Sequence, residues 1–257
     1  MSDLNRRISL LLAALAPLAA LAPLAAAAGP PIGFTDQFPF AACDFRPHGG
    51  NAFLNLTAGR QLYFSNVRCV GAGDCDELTE LWITMLPETR LIRYFDNGKA
   101  RHARTRVMQE YETADGEVEE ISRNYVASCA PMNDVYYFGE DVEDGDGNPL
   151  PDAWLAGRDG ARPGILMPDR AFLLGSRYYQ EIAVNAQDRG EHTALGLEIE
   201  VPAGVFRNCV KIVETSPLEP GHKSLKFYCP NVGMVRDGDL ELMAVYTNAK
   251  PPGDDDD

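Results

Sequence analysis

Short runs of alternating apolar and polar residues recur through most of this chain, each cut off after roughly 8–12 residues by a Gly, Pro, Asn or Asp turn. Thr79, Leu81, Ile83 and Met85 share one face of the run 78–86, a period of two that marks a strand. Leu195, Leu197, Ile199 and Val201 alternate with Gly196, Glu198 and Glu200 in the same way. Asp96-Asn97-Gly98 and Asp115-Gly116 are strong hairpin turns, and Pro87-Glu88 predicts a further turn between 78–86 and 90–95. Further strands are expected at 61–68, 105–113, 118–126, 135–138, 178–184, 205–215, 224–229, 232–236 and 240–246. No stretch beyond residue 28 holds a 3.6-residue period. The pattern excludes a helix bundle and a parallel βαβ fold. It predicts an all-β chain with a single antiparallel β domain over 54–247, its strongly curved sheet forming a sandwich or a partly open barrel.

The flanks read differently. Arg6 and Arg7 precede a nearly unbroken Leu/Ala run from Ile8 to Ala28, and Ala26-Ala27-Ala28 supplies small residues before Gly29. That predicts a signal peptide over 1–28 and a periplasmic or secreted protein. Pro17, Pro23 and the Ala-rich content argue against a retained membrane span. Asn5-Arg6-Arg7-Ile8-Ser9 leaves general secretory and twin-arginine export both open. Phe40-Ala41-Ala42-Cys43 resembles a lipoprotein cleavage box, but it lies far beyond the apolar run, so a mature chain without lipid is expected to start near Gly29. Residues 29–53 hold Pro30, Pro31, Pro39, Pro47 and Gly49-Gly50 and read as an extended arm. Phe34, Phe38, Phe40 and Phe45 suggest that the arm lies along the domain surface. Residues 248–257 read as an acidic, disordered tail. The formal charge is −15, and removing Asp3, Arg6 and Arg7 takes away a net +1, leaving −16. A charge that large argues against binding nucleic acid or anionic membranes.

Six cysteines remain after residue 28: Cys43, Cys69, Cys75, Cys129, Cys209 and Cys229. An even count in an exported chain suggests three disulfides, and no Cys-x-x-Cys pair or neighbouring histidine suggests a metal site instead. Six cysteines allow about 15 connectivities. One of them is indicated by register. Runs 205–215 and 224–229 flank a Pro217–Gly221 turn; centred on Glu219, antiparallel pairing places Cys209 opposite Cys229, with Val213 opposite Leu225 and Lys211 opposite Phe227. By elimination Cys69 pairs with Cys75 across a glycine turn, and Cys43 ties the arm to Cys129.

Residues 135–168 join an apolar aromatic run to an acidic turn, a lone Trp154 and Ile165-Leu166-Met167. They read as a strand, a long ordered loop and an anchoring plug. Asp144, Asp146 and Asn148, with Asp141, Glu143 and Asp152 nearby, space oxygen ligands as calcium loops do, but no glutamate follows at the twelfth position. A solvated acidic turn is expected. Arg90, Arg93, Lys99, Arg101, His102, Arg104 and Arg106 crowd one region. They could take a carboxylate or phosphate ligand; cross-strand pairing with Glu117, Glu119 and Glu120 is the favoured use. No Gly-x-Ser-x-Gly or His-Glu-x-x-His motif is present, and His48, His102, His192 and His222 all sit in or beside turn-like segments.

No residue is therefore assigned as catalytic, cofactor-binding or metal-ligating, and no cofactor is expected. The chain reads as an exported, non-catalytic binding or structural module. Its concave sheet would take an apolar or amphipathic ligand or a protein partner. Tyr136, Phe138, Trp154, Tyr178 and Tyr179 are the candidate lining, with plain core as the alternative use. The competing class is a hydrolase whose site is assembled from scattered Asp, Glu and His.

Six ordered strings carry a resemblance: Tyr137-Phe138-Gly139-Glu140, Asp159-Gly-Ala-Arg-Pro-Gly-Ile-Leu-Met-Pro168, Tyr178-Tyr-Gln-Glu181, Pro202-Ala-Gly-Val-Phe-Arg-Asn-Cys209, Glu214-Thr-Ser-Pro-Leu-Glu-Pro-Gly221 and Phe227-Tyr-Cys-Pro-Asn-Val-Gly233. Over 54–246 the chain resembles a family of uncharacterised exported bacterial β-rich proteins. The resemblance implies export and a β fold and carries no activity with it. Cys229-Pro230-Asn231 stands where that family tends to have Ala-Pro-Gly, and the Cys69/Cys75 turn looks like an addition. Both imply extra cross-links on a shared scaffold.

Overall fold

A computed structural model describes residues 33–169 and 174–253; the expected signal peptide and the last four residues of the expected tail lie outside the described residues. In chain order the strands are β1 (Asp44–Arg46), β2 (Gln61–Ser65), β3 (Thr79–Asp96), β4 (Lys99–Ala114), β5 (Glu117–Ala130), β6 (Val135–Asp144), β7 (Trp154–Leu155) and β8 (Arg162–Met167). They continue with β9 (Arg177–Tyr179), β10 (Glu181–Ile182), β11 (Arg189–Val201), β12 (Gly204–Thr215), β13 (Ser224–Cys229), β14 (Gly233–Asp237) and β15 (Leu240–Tyr246). One α-helix, α1 (Val67–Ala72), is present among the described residues, with a 3-10 turn at Phe40–Ala42.

All the strands belong to one antiparallel sheet, nearly closed into a barrel, as the turn pattern predicted. Asn97 and Gly98, at φ 48° and 75°, join β3 to β4. Asp115 and Gly116, at 48° and 89°, join β4 to β5. Positive φ at both central positions gives a turn whose twist matches that of the strands, and these residue types tolerate it. Closure falls to residues 177–182. β9 pairs with β11 and β10 pairs with β8, so the two ends of the sheet are halves of one short segment that bends at Gln180. A Cβ on Gly164 would meet the Tyr179 carbonyl oxygen at 2.3 Å, so only glycine lets β8 approach this corner.

Several expectations need correction. Pro87 and Glu88 do not turn the chain; β3 runs through them as a bulge, with its register against β4 shifting between Met85 and Thr89. Arg106 makes the bulge tenable, because its guanidinium donates to the carbonyls of Leu86 (3.1 Å) and Pro87 (2.8 Å) that the ladder leaves free. The run 178–184 is two strands rather than one. Cys69 lies in α1, which ends at Ala72 and is closed by Gly73 in the left-handed region, so the expected turn is confined to Gly73–Cys75. In 195–201 only Ile199 and Val201 are buried, whereas Leu195 is exposed. Ile165-Leu166-Met167 is no plug but part of β8, paired with β6, so the ordered loop is shorter than expected. The arm packs along the domain with most of its described residues exposed or half-buried, but it also contributes to the core, since Phe40 and Phe45 are buried. β1 pairs with β5, and Phe45 sits 4.9 Å from the Phe138 ring and 5.3 Å from Tyr136, centroid to centroid. Tyr94 completes this second apolar layer. The start of the tail is docked, Ala249 donating to the Gly59 carbonyl at 2.9 Å and Gln61 to that of Lys250 at 3.0 Å.

The three disulfides form as expected. Cys209 and Cys229 are bonded with Cα atoms 4.1 Å apart, and β12 pairs with β13 in the expected register, Lys211 opposite Phe227 and Val213 opposite Leu225. Cys69 bonds Cys75 and Cys43 bonds Cys129. Three such bonds suit an oxidising compartment. Cys43, with its sulfur in a disulfide, has no thiol to carry a lipid. No helix among the described residues is long and apolar enough to cross a membrane.

Candidate functional site

On β4, Met108, Glu110 and Glu112 share one face. Register places Met85, Ile83 and Leu81 of β3 beside them on one side, and Asn124, Ser122 and Glu120 of β5 on the other. This face is the barrel lumen. A cavity of about 80 Å³ opens there, walled by Leu62, Leu81, Ile83, Met85, Met108 and Met234, with Glu110, Lys226, Tyr228 and Asp237 at its polar end. That volume is room for several waters or a ligand of a few heavy atoms.

The polar end is a network. Lys226 Nζ lies 2.9 Å from Glu214 Oε2 and 3.4 Å from Asp237 Oδ2. Burial pulls the Lys226 ammonium pKa down, but these anions outweigh it and hold the group well above the ordinary lysine range. Gln180 at the closing corner donates to Glu214 Oε1 at 2.8 Å. The Tyr137 hydroxyl lies between Asn124 Oδ1 and Glu140 Oε2, 2.8 Å from the latter. Glu181 is almost wholly buried; its Oε1 accepts from the Asp188 amide, and Oε2 has no hydrogen-bond partner among the described residues. Burial first, then Asp188, raises the Glu181 carboxyl well above its usual range. Glu110 lines the cavity and makes no hydrogen bond or ion pair among the described residues. It is half-buried and stands among the lining residues of the cavity. Burial pushes its carboxyl up to about 7; Lys226 opposes the shift, and Asp237, Glu120 and Glu112 add to it. Glu140 is likewise pushed up to about 7 by burial, against the Tyr137 hydrogen bond.

These shifts set a pH dependence. In the unfolded chain Glu110 and Glu140 titrate near 4.5, and in the folded protein near 7. Between those values the folded state binds more protons, so stability falls as pH rises through this window and levels off above about 7. His192 acts oppositely: burial lowers it from 6.5 to about 4, so its contribution is lost as pH falls from 6.5 to 4. Two glutamates outweigh one histidine, and Glu112, Glu120 and Asp188 are shifted upward as well. Urea unfolding is expected to show the protein more stable at pH 5.5 than at pH 8, by on the order of 2 kcal/mol. Glu110→Gln should flatten the profile; a midpoint that rises with pH across this range would contradict the assignment.

The aromatic residues expected to line a site do not line this cavity. Tyr136 and Phe138 are fully buried in the layer beneath the arm. Trp154 is buried edge-on against Tyr137, ring centroids 5.2 Å apart. The Tyr178 hydroxyl meets His192 Nε2 at 2.9 Å, and Tyr179 packs against Phe34. The basic cluster is dispersed. Arg90 pairs with Asp141 at 2.7 Å and lies over the Tyr125 ring, Arg101 pairs with Asp96, and Arg106 serves the bulge. Glu117, Glu119 and Glu120 lie at the other end of the β4–β5 hairpin, so the expected pairing with them does not occur; Glu120 stands opposite Glu112. In the acidic turn, Asp144 accepts from the Asp146 amide and from both the amide and the side chain of Asn148, so its oxygens close its own turn. His48, His102 and His222 are exposed.

The lumenal glutamates escaped the sequence reading because carboxylates are plentiful in this chain. The available signal was Met108-Gln109-Glu110-Tyr111-Glu112, where period two puts acids on the same face as a methionine. Comparisons with protein-family models, with curated proteins and with solved structures found no significant match.

Proposed function

We propose that this chain is an exported binding protein of the periplasm or secreted space, and that its barrel lumen takes a small amphipathic ligand. One observation carries the reading: an apolar-walled cavity inside the barrel ends on the Glu110 carboxyl group, which has no hydrogen-bond or ion-pair partner among the described residues, instead of on packed core. Apolar walls with a few convergent polar groups are the usual composition of a small-molecule site. A structural role alone leaves unexplained why an ionisable group is held in such surroundings, which is costly. Catalysis by a histidine–carboxylate pair has less support, since the one buried histidine, His192, is engaged with Tyr178. The acidic surface disfavours nucleic acid as a partner.

Native mass spectrometry of protein purified from its own host is the test. A retained small-molecule adduct is expected, and it should be lost in Met108→Trp, whose larger ring fills the cavity. A folded wild-type protein that carries no adduct and gains no thermal stability from any short-chain alcohol, amine or acid would refute the reading.

A further inference from the structure

We propose that the ligand class is a primary alkylammonium, its charge placed on Glu110 and its chain laid along Met85, Met108 and Met234. This rests on the lumen being a binding site. The other charged groups around the cavity are engaged. Lys226 is held between Glu214 and Asp237. Arg60 donates to the carbonyls of Asn231 and Val232. An incoming polar group therefore meets two open partners among the described residues, the Glu110 carboxyl and the Tyr228 hydroxyl, and of these only Glu110 can carry a charge to answer it. The sign of the surroundings agrees. Glu112 on the same strand, Glu120 from β5, Glu140 from β6 and Asp237 from β14 all lie close enough to raise the Glu110 carboxyl or to be raised by it. Lys226 from β13 is the opposing cation, and its charge is already answered by two carboxylates. Tyr137 and Tyr228, the other titratable groups facing Glu110, are held neutral by burial. An anionic head would enter a field of like charge, whereas an ammonium would complete a charge-assisted pair away from bulk water. The methionine walls are flexible and polarisable, suited to a short chain of variable shape.

Calorimetric titration of the full chain at pH 8 with n-butylammonium chloride, 1-butanol and sodium butyrate separates the possibilities. The expected result is one n-butylammonium per chain, bound at least tenfold tighter than 1-butanol, with no detectable butyrate binding. Glu110→Gln should reduce n-butylammonium to the level of 1-butanol and leave 1-butanol unchanged, which also reports an intact cavity. In the wild type, n-butylammonium should bind at least tenfold more weakly at pH 5.5 than at pH 8, because Glu110 takes up a proton; this arm needs no variant to fold. Equal binding of butanol and butylammonium, or a pH-independent butylammonium affinity, overturns the cationic assignment and leaves the lumen a neutral binding site. Silence from all three compounds overturns both readings.

Discussion

Replacing Lys226 with methionine is expected to cost the fold about 3 kcal/mol, read as a fall in the urea midpoint at pH 8. The lysine answers Glu214 and Asp237, whose side chains are 12% and 21% exposed. Without it two carboxylates face each other in the lumen with no cation between them. Removing one partner of a buried ion pair costs roughly 3–5 kcal/mol, because the charge left behind keeps its desolvation penalty. A quarter of the Lys226 side chain remains exposed, which places the expected loss at the lower end. Glu214 also anchors Gln180, where the sheet closes on itself, so the damage should reach the β9–β10 corner. The triple variant Lys226→Met, Glu214→Gln, Asp237→Asn should recover much of the loss, since no uncompensated charge remains. A single variant that unfolds at the wild-type midpoint would show that the pair contributes nothing to stability.

Loss of the Cys43–Cys129 disulfide, in Cys43→Ser/Cys129→Ser, is expected to cost still more. The bond joins residues 86 apart in sequence, and the chain-entropy account assigns a loop of that length about 4.5 kcal/mol. The same account assigns about 2 kcal/mol to Cys69–Cys75, which are separated by 6 residues. The ordering of the two double variants is therefore the measurement: a much larger shift in urea midpoint for Cys43/Cys129 than for Cys69/Cys75. The first loss carries a structural signature as well. The bond holds the arm that carries Phe40 and Phe45 into the layer with Tyr94, Tyr136 and Phe138, so the near-ultraviolet dichroism of these rings should weaken with it. Equal midpoints for the two variants would show that the long loop is already constrained in the unfolded chain.

The two-residue hairpin turns could be read locally, for a physical reason. Asn97-Gly98 and Asp115-Gly116 form two-residue turns because few residue types tolerate positive φ at consecutive positions. Once a turn is placed, an antiparallel register follows by counting, and for that reason Cys209 could be set opposite Cys229 without any tertiary information. The all-β class follows from the period of two, which side-chain geometry imposes on every strand.

Other features were settled only by contacts distant in sequence. A period of two says which residues share a face, not which face turns inward. In this barrel both faces are partly covered, one by the lumen's own packing and the other by the arm, so apolar residues mark neither side as the interior. Tyr63, Trp82 and Tyr111 form an aromatic row on the outer face, while Glu110 and Glu112 point inward. The β3 bulge depends on a guanidinium that arrives from β4, and the break at Gln180 depends on two different neighbours claiming the two halves of one segment. The candidate site belongs to this second class. Glu110, Lys226 and Asp237 lie on strands far apart in the chain, and only closure of the sheet brings them to one cavity and removes the water that would otherwise leave each an ordinary surface charge.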